Sequence, residues 1–295
     1  MKISEVKDKY NEMDGSMYGK KNIDESIAML YHENSKFTTH TIRSQGEKIE
    51  GFNNAYVLER SSQPFKSYPG NKTIDLSVYT NFKPNETLYN CLINRRSIRD
   101  YDKEYKISLN ELTALLFNSY GVTYKSKIAG FELDGHIGMR NVPSGGGLYP
   151  LEIYVVIFNA HIPSGLYHYR TDNNHLELLK EGDFIEELLQ IIQAEPYINM
   201  RTSSALIITT GIIERLLIKY GDRGYRFLMQ ESGFIGQTIS LLAESINLGS
   251  CMLGGYNDDK VNDFLDIDGV FETINNIIVI GKKGDNLSSC EVWKK

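Results

Sequence analysis

At 295 residues, with 41% apolar and 24% charged side chains, the chain can bury roughly three quarters of its unfolded surface in one large or two small domains. That composition excludes a disordered chain, and a net charge of −6 without any Lys/Arg stripe excludes a binder of duplex nucleic acid. Cys91, Cys251 and Cys290 are an odd set without C-x-x-C spacing, so reduced core thiols are expected rather than a disulfide framework or a metal site. The polar start has no signal-type apolar segment, and no run approaches the ~20 apolar residues of a membrane span. A soluble, cytoplasmic protein with no membrane partner is the expectation.

Up to about Lys83 the chain mixes tyrosines with polar residues and reads as short helices and extended pieces. Within it, Tyr31–Lys36 and Pro64–Pro69 stand out. His32-Glu33 lacks a second His at helical spacing, so a solvated helix end is expected there rather than a metal site. From Thr87 the texture changes: Leu88, Cys91 and Leu92 at helical spacing lead into Arg95-Arg96-Ser97-Ile98-Arg99. Ser108 and Glu111 form a capping box that opens a helix over 109–120, stopped by Gly121.

The chain then reaches Pro143-Ser144-Gly145-Gly146-Gly147-Leu148-Tyr149-Pro150 and the apolar strand 151–158. Three glycines allow backbone to lie against a flat ligand where a Cβ would collide, with N–H groups turned outward. Taken alone, the same tripeptide reads as a flexible connection. A hairpin of 165–169 against 175–179 follows, then a helix opening at Asp183 with Glu186 in capping position, and a buried strand over 204–210. A long amphipathic helix spans about Tyr225 to Asn247 and ends at Gly249; within it, Gly233 and Gly236 admit close approach of a helix or a cofactor. Short elements at 251–253 (strand), 258–265 (helix) and 276–280 (strand) lead to Gly281-Lys282-Lys283. Strands interleaved with helices predict an α/β or α+β sheet covered by helices.

The Arg95–Arg99 cluster carries three guanidinium forks suited to a phosphate, although such a pentapeptide by itself reads as a solvated turn. Lys282-Lys283 could close on the same anion.

In this order, these pieces resemble the flavin-dependent nitroreductase superfamily, and more closely the SagB/McbC-type dehydrogenases that oxidise thiazolines and oxazolines in ribosomally made peptides. The resemblance rests on Pro143–Tyr154, Gly165-Leu166-Tyr167-His168-Tyr169, Lys219–Arg226, Glu231-Ser232-Gly233-Phe234-Ile235-Gly236-Gln237 and Gly254–Asp259. It spans about 87–284, with Phe234 standing where relatives often carry His. It implies an α+β nitroreductase-like fold with a central, mostly antiparallel sheet covered by helices. It divides the chain into an N-terminal extension, 1–86, acting as dimer arm or peptide-docking element, and an FMN domain, 87–295. It further implies FMN at a homodimer interface. Arg95, Arg96, Ser97, Arg99 and Lys282 or Lys283 would take phosphate and ribityl, Pro143, Ser144, Gly145 and Gly146 would line the ring with Gln237 nearby, and Gly254 and Gly255 would pass its edge. The family's Lys-Tyr pair falls on Lys219-Tyr220.

Aromatising an azoline removes a proton from one carbon and a hydride from its neighbour, so a base must accompany the flavin. A desolvated lysine with a tyrosine beside it meets that need; without the resemblance the pair reads as an amphipathic helix end. The leading expectation is therefore an FMN-dependent azoline dehydrogenase acting on a modified precursor peptide, with a cyclodehydratase partner complex. The rivals are a nicotinamide-fed flavin reductase of nitro, ene or dehydroamino-acid groups, and a peptide-binding subunit that turns nothing over.

Overall fold

The computed structural model describes residues 27–52, 54, 56, 57, 61, 65–127 and 136–284. Cys290 and the polar start of the chain lie outside the described residues. Nine strands occur among the described residues. These are β1 (Thr73–Asp75), β2 (Val122–Lys127), β3 (His136–Arg140), β4 (Leu151–Ile157), β5 (Gly165–Arg170), β6 (His175–Glu181), β7 (Ala205–Ile212), β8 (Leu248–Leu253) and β9 (Glu272–Lys282). The helices are α1 (Ile27–Asn34), α2 (Thr39–Gly51), α3 (Leu88–Asn94), α4 (Leu109–Tyr120), α5 (Ile185–Ile191), α6 (Glu214–Tyr220), α7 (Gly224–Ser245) and α8 (Asp258–Leu265). Seven strands form one sheet in the order β1-β6-β5-β4-β7-β9-β8, every ladder antiparallel, while β2 and β3 pair separately. The central strands β4 and β7 are buried along almost their whole length and rich in apolar and β-branched residues, with Glu152, Thr209 and Thr210 as buried polar side chains, because both their faces are covered. One face packs on α4 and α7 through Leu115, Leu116, Ile235 and Ile239, and the other on α5 and α8 through Leu188, Val261 and Phe264. This is the expected α+β architecture, with a sheet more uniformly antiparallel than alternation alone required. The edge strand β1 comes from ahead of residue 87 and pairs with β6.

Helix α4 has the expected bounds. Ser108 Oγ accepts from Glu111 N at 3.3 Å, and the Glu111 carboxylate accepts from Ser108 N at 2.9 Å. His32 sits exposed near the end of α1, and Glu33 is paired with Lys36, the solvated helix end expected. Cys91 and Cys251 are free and buried.

Three expectations are corrected. Helix α5 opens at Ile185 rather than Asp183. Asp183 Oδ1 accepts from Ile185 N at 3.1 Å in a local turn, and Glu186 is drawn to Arg201 instead of capping. Helix α7 ends at Ser245, and the reversal is made by Asn247 at φ 58°, a conformation asparagine tolerates. Gly249 lies inside β8, where an added Cβ would stand 2.7 Å from Ile98. The last two strands start earlier than the apolar pattern indicates, at Leu248 and Glu272, because their backbone pairing extends past the apolar residues.

Candidate active site

The site is organised by the loop before β4. Gly146 and Gly147 adopt φ 65° and 69°, and Tyr149 φ 44°, so the chain coils tightly from Ser144 into the strand. Ser144 Oγ accepts from Tyr149 N at 2.8 Å and donates to Glu231 Oε1 at 3.0 Å, while Gly145 N donates to that same oxygen at 2.8 Å. Gly147 N donates to Ser144 O at 3.1 Å. Two of the three glycine N–H groups are therefore engaged within the chain, fewer than expected to face outward.

The φ of 65° favours glycine at 146, and the Lys-Tyr pair fills the space beside it. A Cβ there would lie 2.5 Å from Tyr220 Oη and 2.8 Å from Lys219 Nζ. The structure thus brings Lys219, Tyr220, Ser144, Gly145 and Gly146 together. Helix α6, which carries the pair, is anchored at its start by Arg215, whose Nη1 donates to Tyr149 O at 3.1 Å and to Glu152 Oε1 at 2.6 Å. Glu152 is buried on β4. Burial works against its charge, but Arg215 and His168 outweigh it and hold the carboxyl down at about 2. At the other end of α6 the Tyr220 ring meets Phe227 edge-on at 4.9 Å, and Phe227 also covers Gly145. Burial pulls the Lys219 ammonium below the ordinary lysine range and, with the Glu231 carboxyl nearby, pushes the Tyr220 phenol up. A depressed lysine beside a protonated tyrosine is the combination that a proton-accepting site needs.

Glu231 is the functional candidate that sequence reasoning missed. It is 2% exposed, its Oε1 takes both loop hydrogen bonds, and its Oε2 finds no hydrogen-bond partner. Burial outweighs those bonds and raises its carboxyl to about 7. Its signal was an acidic residue on the apolar face of an amphipathic helix, one turn beyond Phe227.

The N-terminal helices also reach this site. Gln45 Nε2 donates to the Lys219 carbonyl, the Lys219 ammonium lies 5.0 Å from the Phe52 ring centroid, and Tyr31 Oη donates to Asp222 O at 3.0 Å.

The Arg cluster gathers elsewhere. It runs beside β8, with Ile98 N donating to Ser250 O at 2.9 Å, and beside the end of β9, with Asp102 N donating to Lys282 O at 3.0 Å. Arg96 Nη1 donates to Ile93 O and Arg99 Nη1 to Ser97 O, at 2.9 and 3.1 Å; the Arg95 guanidinium has no partner among the described residues. Lys282 lies over the Tyr105 ring at 5.3 Å. Lys283 is engaged, its Nζ 2.8 Å from both Glu244 oxygens, so its ammonium is already matched by a carboxylate. Gln237 stands exposed on α7, and Gly254 and Gly255 are exposed beyond β8.

The loop and the basic end of β9 are anchored at different points of one helix. The loop is held by Glu231 and the basic end by Glu244, both on α7 and 13 residues apart. At 1.5 Å per residue that is ~20 Å. The outer face of α7 carries exposed Met229 just before Glu231 and, beyond it, exposed Phe234 and Gly233, whose missing Cβ faces open space. Of the two glycines singled out in the sequence, Gly236 is closely approached inside the chain, by Met252 and Asn276. Beside α7, α3 exposes Leu88, Tyr89, Leu92 and Ile93.

Residues 92–282 match the Nitroreductase family. The chain belongs to the nitroreductase family. A protein of Methanocaldococcus jannaschii assigned to the nitroreductases is 31% identical over 181 residues, 61% of this chain and 84% of its own length. The microcin B17-processing protein McbC of Escherichia coli is 25% identical over 55% of this chain and 58% of its own. The trifolitoxin-processing protein TfxB of Rhizobium leguminosarum is 25% identical over 59% and 47%. Among solved structures, a nitroreductase-class protein of Anabaena variabilis superimposes with TM-score 0.67 at 28% identity, covering 86% of this chain and 46% of that one. The E. coli microcin synthetase McbBCD complex with truncated pro-MccB17 bound superimposes at 0.54 with 21% identity, a likeness of fold, over 88% of this chain and 92% of that one. The chain thus spans about half the length of the peptide-processing relatives and of the Anabaena protein. Among the described residues no helix is long and apolar enough to cross a membrane, and no three His, Cys, Asp or Glu side chains cluster as metal ligands.

Proposed function

We propose that the chain is an FMN-dependent dehydrogenase that converts thiazoline or oxazoline rings of a ribosomally made peptide to thiazoles or oxazoles. The observation that carries this reading is the contact of Lys219 Nζ and Tyr220 Oη with the Gly146 position. A base and a hydroxyl donor stand at the surface of the glycine loop, where a flat cofactor and a flat substrate ring can stack. The residues present fit FMN: the Arg95 guanidinium is without a protein partner among the described residues, Ser97 and Arg99 are exposed beside it, and Gly147 and Gly254 each face open space where a side chain would project. Bound FMN would supply the hydride acceptor. Lys219 would take the proton from the adjacent carbon, and Tyr220 would orient it and pass the proton on. The chain's relation to proteins that process microcin B17 and trifolitoxin supports a peptide substrate and a cyclodehydratase partner.

A homodimer is part of this reading. The loop is tied to α7 at Glu231 and the basic end of β9 at Glu244, ~20 Å further along that helix, which supports a cofactor shared between two copies. The Arg cluster and Lys282 of one copy would grip the phosphate while the loop of the second lines the ring, with the exposed apolar faces of α3 and α7 forming the contact.

The test is to purify the chain, record its visible spectrum, and incubate it with an azoline-containing peptide or with NADPH and a nitro or ene acceptor. A yellow, FMN-bearing protein that removes the mass of two hydrogen atoms per ring supports the proposal. Fast flavin reduction by NADPH without azole formation would transfer the assignment to the reductase class, and a colourless protein that cannot be reconstituted would remove flavin altogether.

A further inference from the structure

A cleft of about 400 Å³ opens between the N-terminal helices and the turn that follows the Lys-Tyr pair. One wall is a single face of α2 carrying His40, Gln45 and Lys48, and the other runs from Tyr220 to Arg223. The walls are held together. Gln45 donates to the Lys219 carbonyl, Arg223 Nη1 donates to Ser35 O at 3.1 Å while its guanidinium stacks on Phe37 at 4.4 Å, and Arg226 Nε donates to Ser35 Oγ at 2.8 Å.

The charge of this cleft runs against that of the molecule. Lys36 is matched by Glu33, but Lys48 makes no ion pair among the described residues, and with Arg223 it faces one lining carboxylate, Asp222. The acids of α2, Glu47 and Glu50, are not among the lining residues. In a chain of net charge −6 such a local cationic excess attracts anions into a concave space.

We propose that this cleft binds a carboxylate-rich stretch of the peptide whose ring is processed at Lys219 and Tyr220. The inference rests on that reading of the pair and adds the recognition element. Tyr220 is itself a lining residue, so a peptide lying in the cleft would pass beside one member of the pair. Separated side-chain cations and hydroxyls suit carboxylates spaced along an extended chain. A nucleotide phosphate is less well served, because one amide at the start of α2 is already taken: Thr38 Oγ1 accepts from Thr41 N at 3.1 Å.

The experiment uses the full chain and a fluorescently labelled Gly/Ser/Cys peptide with an Asp-rich stretch, against the same peptide with Asn at those positions. Anisotropy titration at low salt should show the Asp peptide binding about tenfold tighter, an advantage that shrinks as salt is added. Lys48→Glu should abolish the advantage and Lys48→Gln should reduce it. Arg43→Glu, the same charge change on the same helix but outside the cleft, should leave it. Thermal melts of each variant check folding. Equal binding of the two peptides, or equal losses in Lys48→Glu and Arg43→Glu, would overturn the proposal. So would NADPH binding that is lost in Lys48→Glu while the Asp preference survives. The flavin spectrum and turnover of an azoline peptide free of acidic residues report on the dehydrogenase reading separately, so both can persist while the cleft assignment fails.

Discussion

Glu231→Gln isolates the buried carboxyl that holds the glycine loop. In the folded chain its pKa is raised from 4.5 to about 7 by burial. A group raised in this direction contributes stability that is fully present below pH 4.5 and is lost as pH rises through about 7. The difference, at 1.36 kcal/mol per unit, amounts to ~3 kcal/mol lost across that window. Glutamine keeps an oxygen to accept from Ser144 Oγ and Gly145 N but places an amide where Oε2 has no partner. That unsatisfied donor costs ~1–3 kcal/mol at every pH. The variant should therefore be less stable than the parent near pH 5 and equal or more stable above pH 8. Urea denaturation of both proteins across that range measures the difference, and subtracting one curve from the other cancels the remaining titrating groups. Two parallel curves would show that Glu231 does not titrate in the window and would refute the argument from burial.

Lys219→Ala and Tyr220→Phe should each keep flavin while azole formation, followed by mass spectrometry, falls by ~10²–10⁴, and the double variant should lose far less than the product. Gly146→Ala combines φ 65° with a Cβ 2.5 Å from Tyr220 Oη, so we expect ~1–3 kcal/mol of destabilisation in a thermal melt and a turnover loss like that of the pair's own variants. Arg95→Ala with Arg99→Ala should weaken flavin binding, read by fluorescence titration, by roughly 10- to 100-fold per residue, since charge-assisted bonds contribute ~1.5–3 kcal/mol each. Leu92→Glu places a charge in the exposed apolar face of α3 and should yield a monomer in light scattering that has also lost its flavin; a monomer that stays yellow would remove the two-chain site.

Much of the local structure follows from the sequence by itself. Ser108 and Glu111 satisfy each other's backbone wherever the chain goes, so α4 begins where its residues say, and Asn257 and Asp258 open α8 in the same local way. The apolar runs of β4 and β7 require burial on both faces, and that alone placed them at the centre of a covered sheet. Their antiparallel order, the early starts of β8 and β9, and the recruitment of β1 depend on backbone pairing between distant segments, which side-chain pattern does not encode.

The candidate site divides in the same manner. Its glycines, arginines and Lys-Tyr pair are visible as motifs, but the need for Gly146 becomes apparent only when α6 folds back across the loop, anchored there by Arg215. Glu231 is one acid among many until burial and the Gly145 amide single it out. Likewise, the sequence presents the loop and the basic close as one cofactor site, whereas the fold anchors them to Glu231 and Glu244, 13 residues apart on α7. Sequence determines which groups are present and what each helix and strand can be. Tertiary packing decides which of those groups share a desolvated space, and desolvation is what turns an ordinary lysine, tyrosine or glutamate into a reactive one.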